Sequence, residues 1–127
     1  MIREIPFEEW PPFLEQFSRD HRAWLATVER VCAGAPSQVI VLEKPLGAVR
    51  PEIGARRLPG IGIHFQEDSR ASGELYVNSP MRLLVDETEE GATRALEIET
   101  RRGELMRIRF RVAAPHEMLD GMAPGEL

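Results

Sequence analysis

Apolar residues near the start of the chain recur at the spacing of a helix. They stand at positions i, i+3, i+4 and i+7 and therefore form one stripe along a helix surface. The stripe consists of Trp10, Phe13, Leu14 and Phe17. Pro11 and Pro12 fall in the first turn, where backbone N–H groups have no partner inside the helix, so they cost little there. The pattern predicts an amphipathic helix over about residues 8–20.

After the helix the period changes to the strict alternation of β-strands. Seven short strands are predicted, at residues 24–29, 39–42, 61–65, 75–77, 81–85, 96–98 and 106–112. The second, Val39–Leu42, is a continuous apolar run, so we expect burial of both its faces. One helix followed by about seven strands predicts an α+β fold. We expect a curled, mostly antiparallel β-sheet, as a half-open barrel or two-layer sandwich, with the N-terminal amphipathic helix packed on it.

The last two strands allow a prediction of register. In an antiparallel pair, apolar residues of the two strands must meet on one face. A three-residue loop at 101–103 meets this condition by pairing Ile98 with Met106 and Leu96 with Ile108, whereas a two-residue loop does not. The longer loop also places Gly103 where a positive φ is required.

Two stretches lack a regular period. Residues 43–60 contain several prolines and glycines, so we expect a long irregular connection there. Its part from Lys44 to Arg57 is the most basic stretch of the chain and could dock an anionic partner, although a solvated loop with mobile charges is the favoured interpretation. We expect one α+β domain over residues 1–112, followed by a loosely ordered C-terminal tail over 113–127.

Composition limits the function classes. Apolar residues make up 43% of the chain and charged residues 29%, as in ordinary folded proteins. Cys32 is the only cysteine, which fits a reducing compartment. No signal-peptide pattern and no run of about 20 apolar residues is present, so we expect a cytoplasmic protein without a membrane partner. The net charge of -5 disfavours nucleic acid as a partner.

The residues that commonly perform chemistry are isolated from one another. His21 follows the helix and is expected to cap its C-terminal carbonyl groups, His64 points outward from a strand, and His116 lies in the tail. None has a second histidine at ligand spacing, so we predict no metal and no cofactor. Cys32 has no neighbouring base that would activate it. The sequence therefore predicts no catalytic residue.

Several motifs together resemble a known family. They are IPFEEWP at residues 5–11, Phe13-Leu14, Phe17-Ser18, Trp24-Leu25, LPGI at 58–61, ETEEG at 87–91 and ALEIE at 95–99. In these motifs the chain resembles a bacterial family of small proteins described as domain of unknown function 5335. The resemblance spans nearly the whole chain. It implies no activity and no catalytic residues, because none is assigned to that family.

Three functions remain open at this point. The first is a non-enzymatic protein-interaction module that docks a protein partner through its sheet edges. In a self-associating version the partner is a second copy, which gives a homo-oligomer. The second is a small-ligand carrier with an apolar pocket between helix and sheet. The third is an enzyme with a site assembled around His64 and an acid brought close by folding. The candidate ligand-binding residues are Trp10, Phe17, Trp24, His64, Arg56 and Arg57.

Overall fold

The computed structural model describes residues 1–53, 59–66 and 73–111. The predicted tail therefore lies outside the described residues, and so do Arg56 and Arg57. The elements in chain order are β1 (Ile2–Ile5), a single-turn 3-10 helix (Phe7–Glu9), α1 (Trp10–Asp20), β2 (Leu25–Val31), β3 (Gln38–Ile53), β4 (Pro59–Phe65), β5 (Glu74–Asn78), β6 (Pro80–Glu87), β7 (Thr93–Thr100) and β8 (Leu105–Phe110).

The eight strands form one antiparallel sheet in the order β1-β6-β7-β8-β2-β3-β4-β5. The sheet is open, and β1 and β5 are its edges. Ser79 alone joins β5 to β6, which lies next to the opposite edge, so the sheet has to coil back on itself. One helix against an open, coiled antiparallel sheet confirms the predicted α+β class. The count of seven strands was too low, because the short β1 has Ile5 as its one buried side chain and no alternation to reveal it.

The helix is confirmed almost to the residue. It begins at Trp10, with Pro11 and Pro12 in its first turn, directly after the 3-10 helix. Trp10, Leu14 and Phe17 are buried in the core, as the apolar stripe predicts. The Trp10 Nε1–H donates to the Ile5 carbonyl oxygen at 2.9 Å, which ties the start of the helix to β1.

The predicted irregular connection over residues 43–60 is wrong at residues 43–53, which belong to β3, and at 59–60, which begin β4, while residues 54–58 lie outside the described residues. β3 pairs with β2 up to Pro45 and with β4 from Leu46 onwards, so each half has one paired edge. The Val49 N–H donates to Ser18 Oγ of α1 and therefore points away from β4. Pro51, two residues further on, turns its nitrogen the same way, so its missing N–H removes no hydrogen bond to β4.

The predicted burial of the run Val39–Leu42 on both faces is also wrong. Val39 is 52% exposed and Leu42 is 66% exposed, whereas Ile40 and Val41 between them are partly buried against the core. Met81 is exposed as well, whereas Leu83 and Val85, which strict alternation would place on the same face as Met81, are buried. The pairing of β6 with β7 shifts register between Pro80 and Arg82, which breaks the alternation at that point.

The register of the last hairpin is confirmed. Ile98 lies opposite Met106 and Leu96 opposite Ile108 across β7 and β8. Gly103 closes the three-residue loop with a φ of 86°. On the outer face, Arg107 Nε lies 2.8 Å from a Glu97 oxygen, as that register requires. Arg109 pairs instead with Glu29 of β2, at 2.7 Å.

Ser18 gives a test of how the helix is held. We expect Ser18→Ala to lower the free energy of unfolding by about 1–3 kcal/mol, because the partly buried Val49 N–H would lose its acceptor. The measurement is equilibrium urea denaturation. Ser37→Ala, at an exposed position, is the matched control and should change that free energy by less than about 0.5 kcal/mol. Equal effects of the two substitutions would contradict the assignment.

Candidate functional site

A pocket of about 550 Å³ lies between α1 and one end of the coiled sheet. We call it the helix pocket. Its walls come from β1, α1, the segment between α1 and β2, the end of β6, the following turn and the start of β7. These elements are far apart in sequence, so the pocket exists only in the folded chain.

Aromatic rings form the floor of the helix pocket. Phe13, Phe17, His21 and Trp24 all line it. His21 stacks on the Phe110 ring with an angle of 10° between the planes and 4.8 Å between the centroids. Trp24 meets the same ring edge-on at 5.2 Å. The floor is therefore a packed aromatic cluster, in which each ring is held by another.

The segment that connects α1 to β2 brings Trp24 back to the helix. Ala23 has a φ of 71°, a conformation that turns the chain sharply. Its N–H donates to the Leu46 carbonyl oxygen at 2.8 Å, and the Leu46 N–H donates to the Trp24 carbonyl oxygen at 2.9 Å. These two bonds fix the segment to β3, so the position of Trp24 is set by backbone as well as by ring packing.

His21 is the one titratable group buried in the floor, with 7% of its surface exposed. Its Nδ1 lies 2.8 Å from the Phe17 carbonyl oxygen, which confirms that His21 caps the end of the helix. Because a carbonyl oxygen accepts, Nδ1 carries the proton and donates. Burial lowers the pKa of His21, against the opposing effects of the Phe17 carbonyl and Asp20, so the ring is neutral at pH 7.

The other ring nitrogen of His21 is available. Among the described residues no hydrogen bond reaches Nε2, and in the same part of the chain no fully buried side-chain nitrogen or oxygen lacks a partner. Nε2 therefore opens to solvent. Since Nδ1 holds the proton, Nε2 presents a lone pair and acts as an acceptor.

Charged side chains form the rim. The carboxylates come from Asp20, Glu87 and Glu90, and the cation is Arg3. Arg3 lies 3.5 Å from a Glu87 oxygen and holds its guanidinium 6.0 Å from the centroid of the Phe13 ring. The rim therefore carries three carboxylates against one guanidinium.

The turn after β6 positions Glu90 at the rim. The Gly91 N–H donates to the Thr88 carbonyl oxygen at 3.0 Å, and the Ala92 N–H donates to Thr88 Oγ1 at 3.0 Å. Gly91 has a φ of 87°, which a glycine adopts without a Cβ penalty. The acidic turn is thus a closed, hydrogen-bonded structure.

The structure brings together only some of the residues that the sequence singled out. Phe17 and Trp24 meet at the helix pocket, whereas Trp10 lies in the core and is absent from the lining. Sequence reasoning missed His21, Arg3 and the acidic rim as site residues. The acids gave a signal, a cluster in a turn, but nothing local in the sequence indicates that this turn faces the helix.

His64 lies elsewhere, on the outer face of β4. Its Nε2 lies 2.9 Å from a Glu52 oxygen and its Nδ1 lies 3.3 Å from a Glu74 oxygen. Partial desolvation raises the pKa of Glu52, but His64 and Arg50 together outweigh it and hold that pKa below its ordinary value. A carboxylate therefore faces each ring nitrogen of His64, so neither nitrogen is free to take a proton from a substrate.

Two glycines of β4 make room for this cluster. A Cβ at Gly62 would overlap the Glu52 carboxylate and His64 Nε2, and one at Gly60 would overlap the Tyr76 ring. The glycines thus let neighbouring side chains lie flat on the strand. This geometry favours a structural role for His64, as part of a packed polar layer.

Comparisons add no family to this picture. No protein-family model matches the chain, and neither a curated protein nor a solved structure matches it. The resemblance to domain of unknown function 5335 therefore stays a prediction. In the described residues, no three side chains of histidine, cysteine, aspartate or glutamate are grouped to hold a metal ion. No helix in that same part of the chain is long and apolar enough to span a membrane.

The burial of His21 predicts a pH dependence of stability. In the unfolded chain His21 takes up a proton near its ordinary pKa of 6.5, and in the folded chain it does so only at lower pH. Acid therefore favours the unfolded state. The contribution of His21 to the free energy of unfolding is full above pH 6.5 and declines as the pH falls toward the lower, folded-state pKa. His21→Phe should flatten this dependence in urea denaturation at a series of pH values.

A direct measurement accompanies that test. The ring protons of His21 can be followed by NMR as the pH is lowered, and the midpoint gives the pKa in the folded state. We expect a midpoint below 6.5. A midpoint at or above this value would show that burial does not dominate the environment of the ring.

Proposed function

We propose that the protein is a non-enzymatic binding module that takes a small ligand in the helix pocket. The observation that carries the proposal is the pocket itself, with its aromatic floor and charged rim. Its volume of about 550 Å³ falls within the range of roughly 300–1,000 Å³ that is usual for small-molecule sites. An apolar floor supplies binding energy, while a few placed polar groups orient the ligand.

The groups around the pocket suit binding better than catalysis. His21 uses Nδ1 to cap the helix, so it lacks the third, orienting carboxylate found in many catalytic histidines. The hydroxyl of Ser18, on α1, accepts from the Val49 N–H and shares its hydrogen between the carbonyl oxygens of Leu14 and Val49, so backbone groups engage it fully. No nucleophile among the described lining residues has an activating partner.

Filling the pocket tests this proposal. Ala92 lines the pocket and Ala35 lies in an exposed turn outside it, so Ala92→Phe and Ala35→Phe make a matched pair. We would add phenethyl alcohol, phenethylamine and 3-phenylpropionate to each protein and record amide and indole NMR spectra. In the natural protein and Ala35→Phe, at least one compound should shift the Trp24 indole and Thr93 amide signals. Ala92→Phe should remove these shifts.

The same spectra contain the opposing outcome. Trp10 is buried outside the pocket, so its indole signal should stay unchanged. Equal shifts of Trp10 and Trp24, or shifts that persist in Ala92→Phe, would locate binding elsewhere. Absence of shifts with all three compounds would count against an aromatic-floored small-molecule site.

Self-association is a second candidate, which a different observation favours. Among the described residues, β3 has β2 as its one strand partner over 38–45, so its other edge there carries open backbone groups. The exposed side chains of Val39 and Leu42 stand on this same half of β3. An open strand edge with apolar neighbours is a common site for pairing between copies.

Light scattering coupled to size-exclusion chromatography, over a range of concentrations, tests this candidate. We expect a concentration-dependent dimer that Leu42→Lys converts to a monomer, because a charge at an edge opposes pairing. Met81→Lys, an equally exposed apolar position on β6, should leave the dimer intact. A monomer at every concentration would rule this candidate out.

We propose a cytoplasmic setting and no nucleic-acid partner. The single Cys32 suits a reducing compartment. The arginines on β8 and directly after it are each paired with a carboxylate, Arg107 with Glu97, Arg109 with Glu29 and Arg111 with Glu43. Such pairing leaves little positive charge for a phosphate backbone.

A further inference from the structure

We propose that the ligand of the helix pocket is a small organic cation, in which an ammonium or guanidinium group with N–H donors is attached to an aryl or short alkyl body. This inference rests on the proposed function of the same pocket and names its ligand class. It is carried by four features of the lining, namely its charge, the pairing of several of its donors, an accessible acceptor on a buried ring, and its ring faces.

The charge of the lining favours a cation. Asp20, Glu87 and Glu90 are matched by Arg3 alone among the described lining residues, so two negative charges are in excess. Arg3 is also shared with Glu87 at 3.5 Å. An anionic ligand would have to approach Asp20 and Glu90 without a free cation to receive it, whereas a cation would relieve their mutual repulsion.

Several hydrogen-bond donors of the lining are already occupied. The Gln16 amide donates to Asp20 at 2.7 Å, and Arg3 is directed to Glu87. The backbone N–H groups of Gly91 and Ala92 are bonded within their own turn. The Trp24 indole N–H has no hydrogen bond to the described residues, so the lining keeps one donor beside its three carboxylates, and this balance favours a ligand that donates.

His21 supplies an independent observation inside the pocket. Only 7% of its surface is exposed, its Nδ1 is bonded to Phe17, and its Nε2 lone pair has no partner among the described residues. Since no fully buried side-chain nitrogen in that part of the chain lacks a partner, Nε2 keeps contact with solvent, and a donating ligand can bond to it. A neutral imidazole at this point fits an N–H donor and does not repel a cation.

The ring faces complete the site. Phe13 already has the guanidinium of Arg3 near its face, 6.0 Å from the ring centroid. Trp24, which lines the same pocket, offers the ring type that binds cations most strongly. Aromatic rings beneath a charged rim accommodate a molecule with an apolar body and one positively charged end.

Four probes of one shape test the proposal at neutral pH in low salt. Phenethylamine has charge and N–H donors, its N,N,N-trimethyl derivative has charge alone, phenethyl alcohol is neutral, and 3-phenylpropionate is an anion. Affinities are measured by calorimetry, with the Trp24 indole signal as the marker of binding in the pocket. We expect phenethylamine to bind at least about fivefold more tightly than the alcohol, the trimethyl derivative to lie between them, and the anion to bind most weakly.

Two neighbouring acids provide the matched variants. Glu90 lines the pocket and Glu89 does not, although both are exposed in the same turn. Glu90→Gln should weaken phenethylamine about two- to fivefold and leave the alcohol unchanged. Glu89→Gln should leave both affinities unchanged, and urea denaturation of each variant checks that the fold is intact.

The outcomes separate this inference from the function on which it rests. If the alcohol or the anion shifts Trp24 as strongly as phenethylamine and binds as tightly, the pocket is a binding site but the preference for a cation is wrong. If Glu89→Gln weakens phenethylamine as much as Glu90→Gln, the attraction is a general effect of surface charge and the proposed contact is wrong. If none of the probes binds, both the inference and the proposed function are contradicted.

Discussion

The fold depends on one strand that serves two partners in turn. β3 pairs with β2 along its first half and with β4 along its second half, so a single strand of sixteen residues joins the two parts of the coiled sheet. The change of partner leaves one backbone edge of the second half open. Ser18 of α1 fills that edge, because its Oγ accepts from the Val49 N–H and its one hydroxyl hydrogen is shared between the carbonyl oxygens of Leu14 and Val49. The position of the helix, and hence of the pocket beneath it, follows from this bond pair and from the apolar stripe.

The fold was predictable where the constraint is local. The stripe of Trp10, Leu14 and Phe17 specifies the helix because burial of one face is a property of spacing alone. The hairpin register follows from the parity of apolar residues around Gly103, which allows one loop length. The full length of β3 could not be predicted in this way. Pro45 and Pro51 have no N–H to donate, but their presence does not show whether the edge that they face has a hydrogen-bonding partner. That information lies in the distant segments that pair with each half.

The candidate site, like the fold, could be predicted only where a local sequence pattern determines the structure. Phe17 and Trp24 were found from sequence because large apolar residues at the end of an amphipathic helix mark an interior surface. The acidic turn shows in the sequence only as a cluster of charges, and Glu89 and Glu90 are exposed. What the sequence does not contain is the coiling of the sheet, which carries Glu90 to the pocket that Asp20 of the helix also lines. His64 is the opposite case, a candidate from the sequence that folding makes less suitable. The folded chain places a carboxylate next to each of its ring nitrogens and so engages both.

The choice of histidine at position 21 bears on why the pocket exists. A phenylalanine there could stack on Phe110 and Trp24 without the desolvation that lowers the pKa of the imidazole. The bond from Nδ1 to Phe17 compensates one nitrogen, and such a bond contributes only about 0.5–1.5 kcal/mol. The second nitrogen has no partner among the described residues and stays accessible to solvent. A polar ring kept in an aromatic cluster at a cavity is the kind of local departure from optimal packing that occurs at binding sites. The burial of this ring costs stability, and the accessible Nε2 is what a histidine offers a ligand here and a phenylalanine would not.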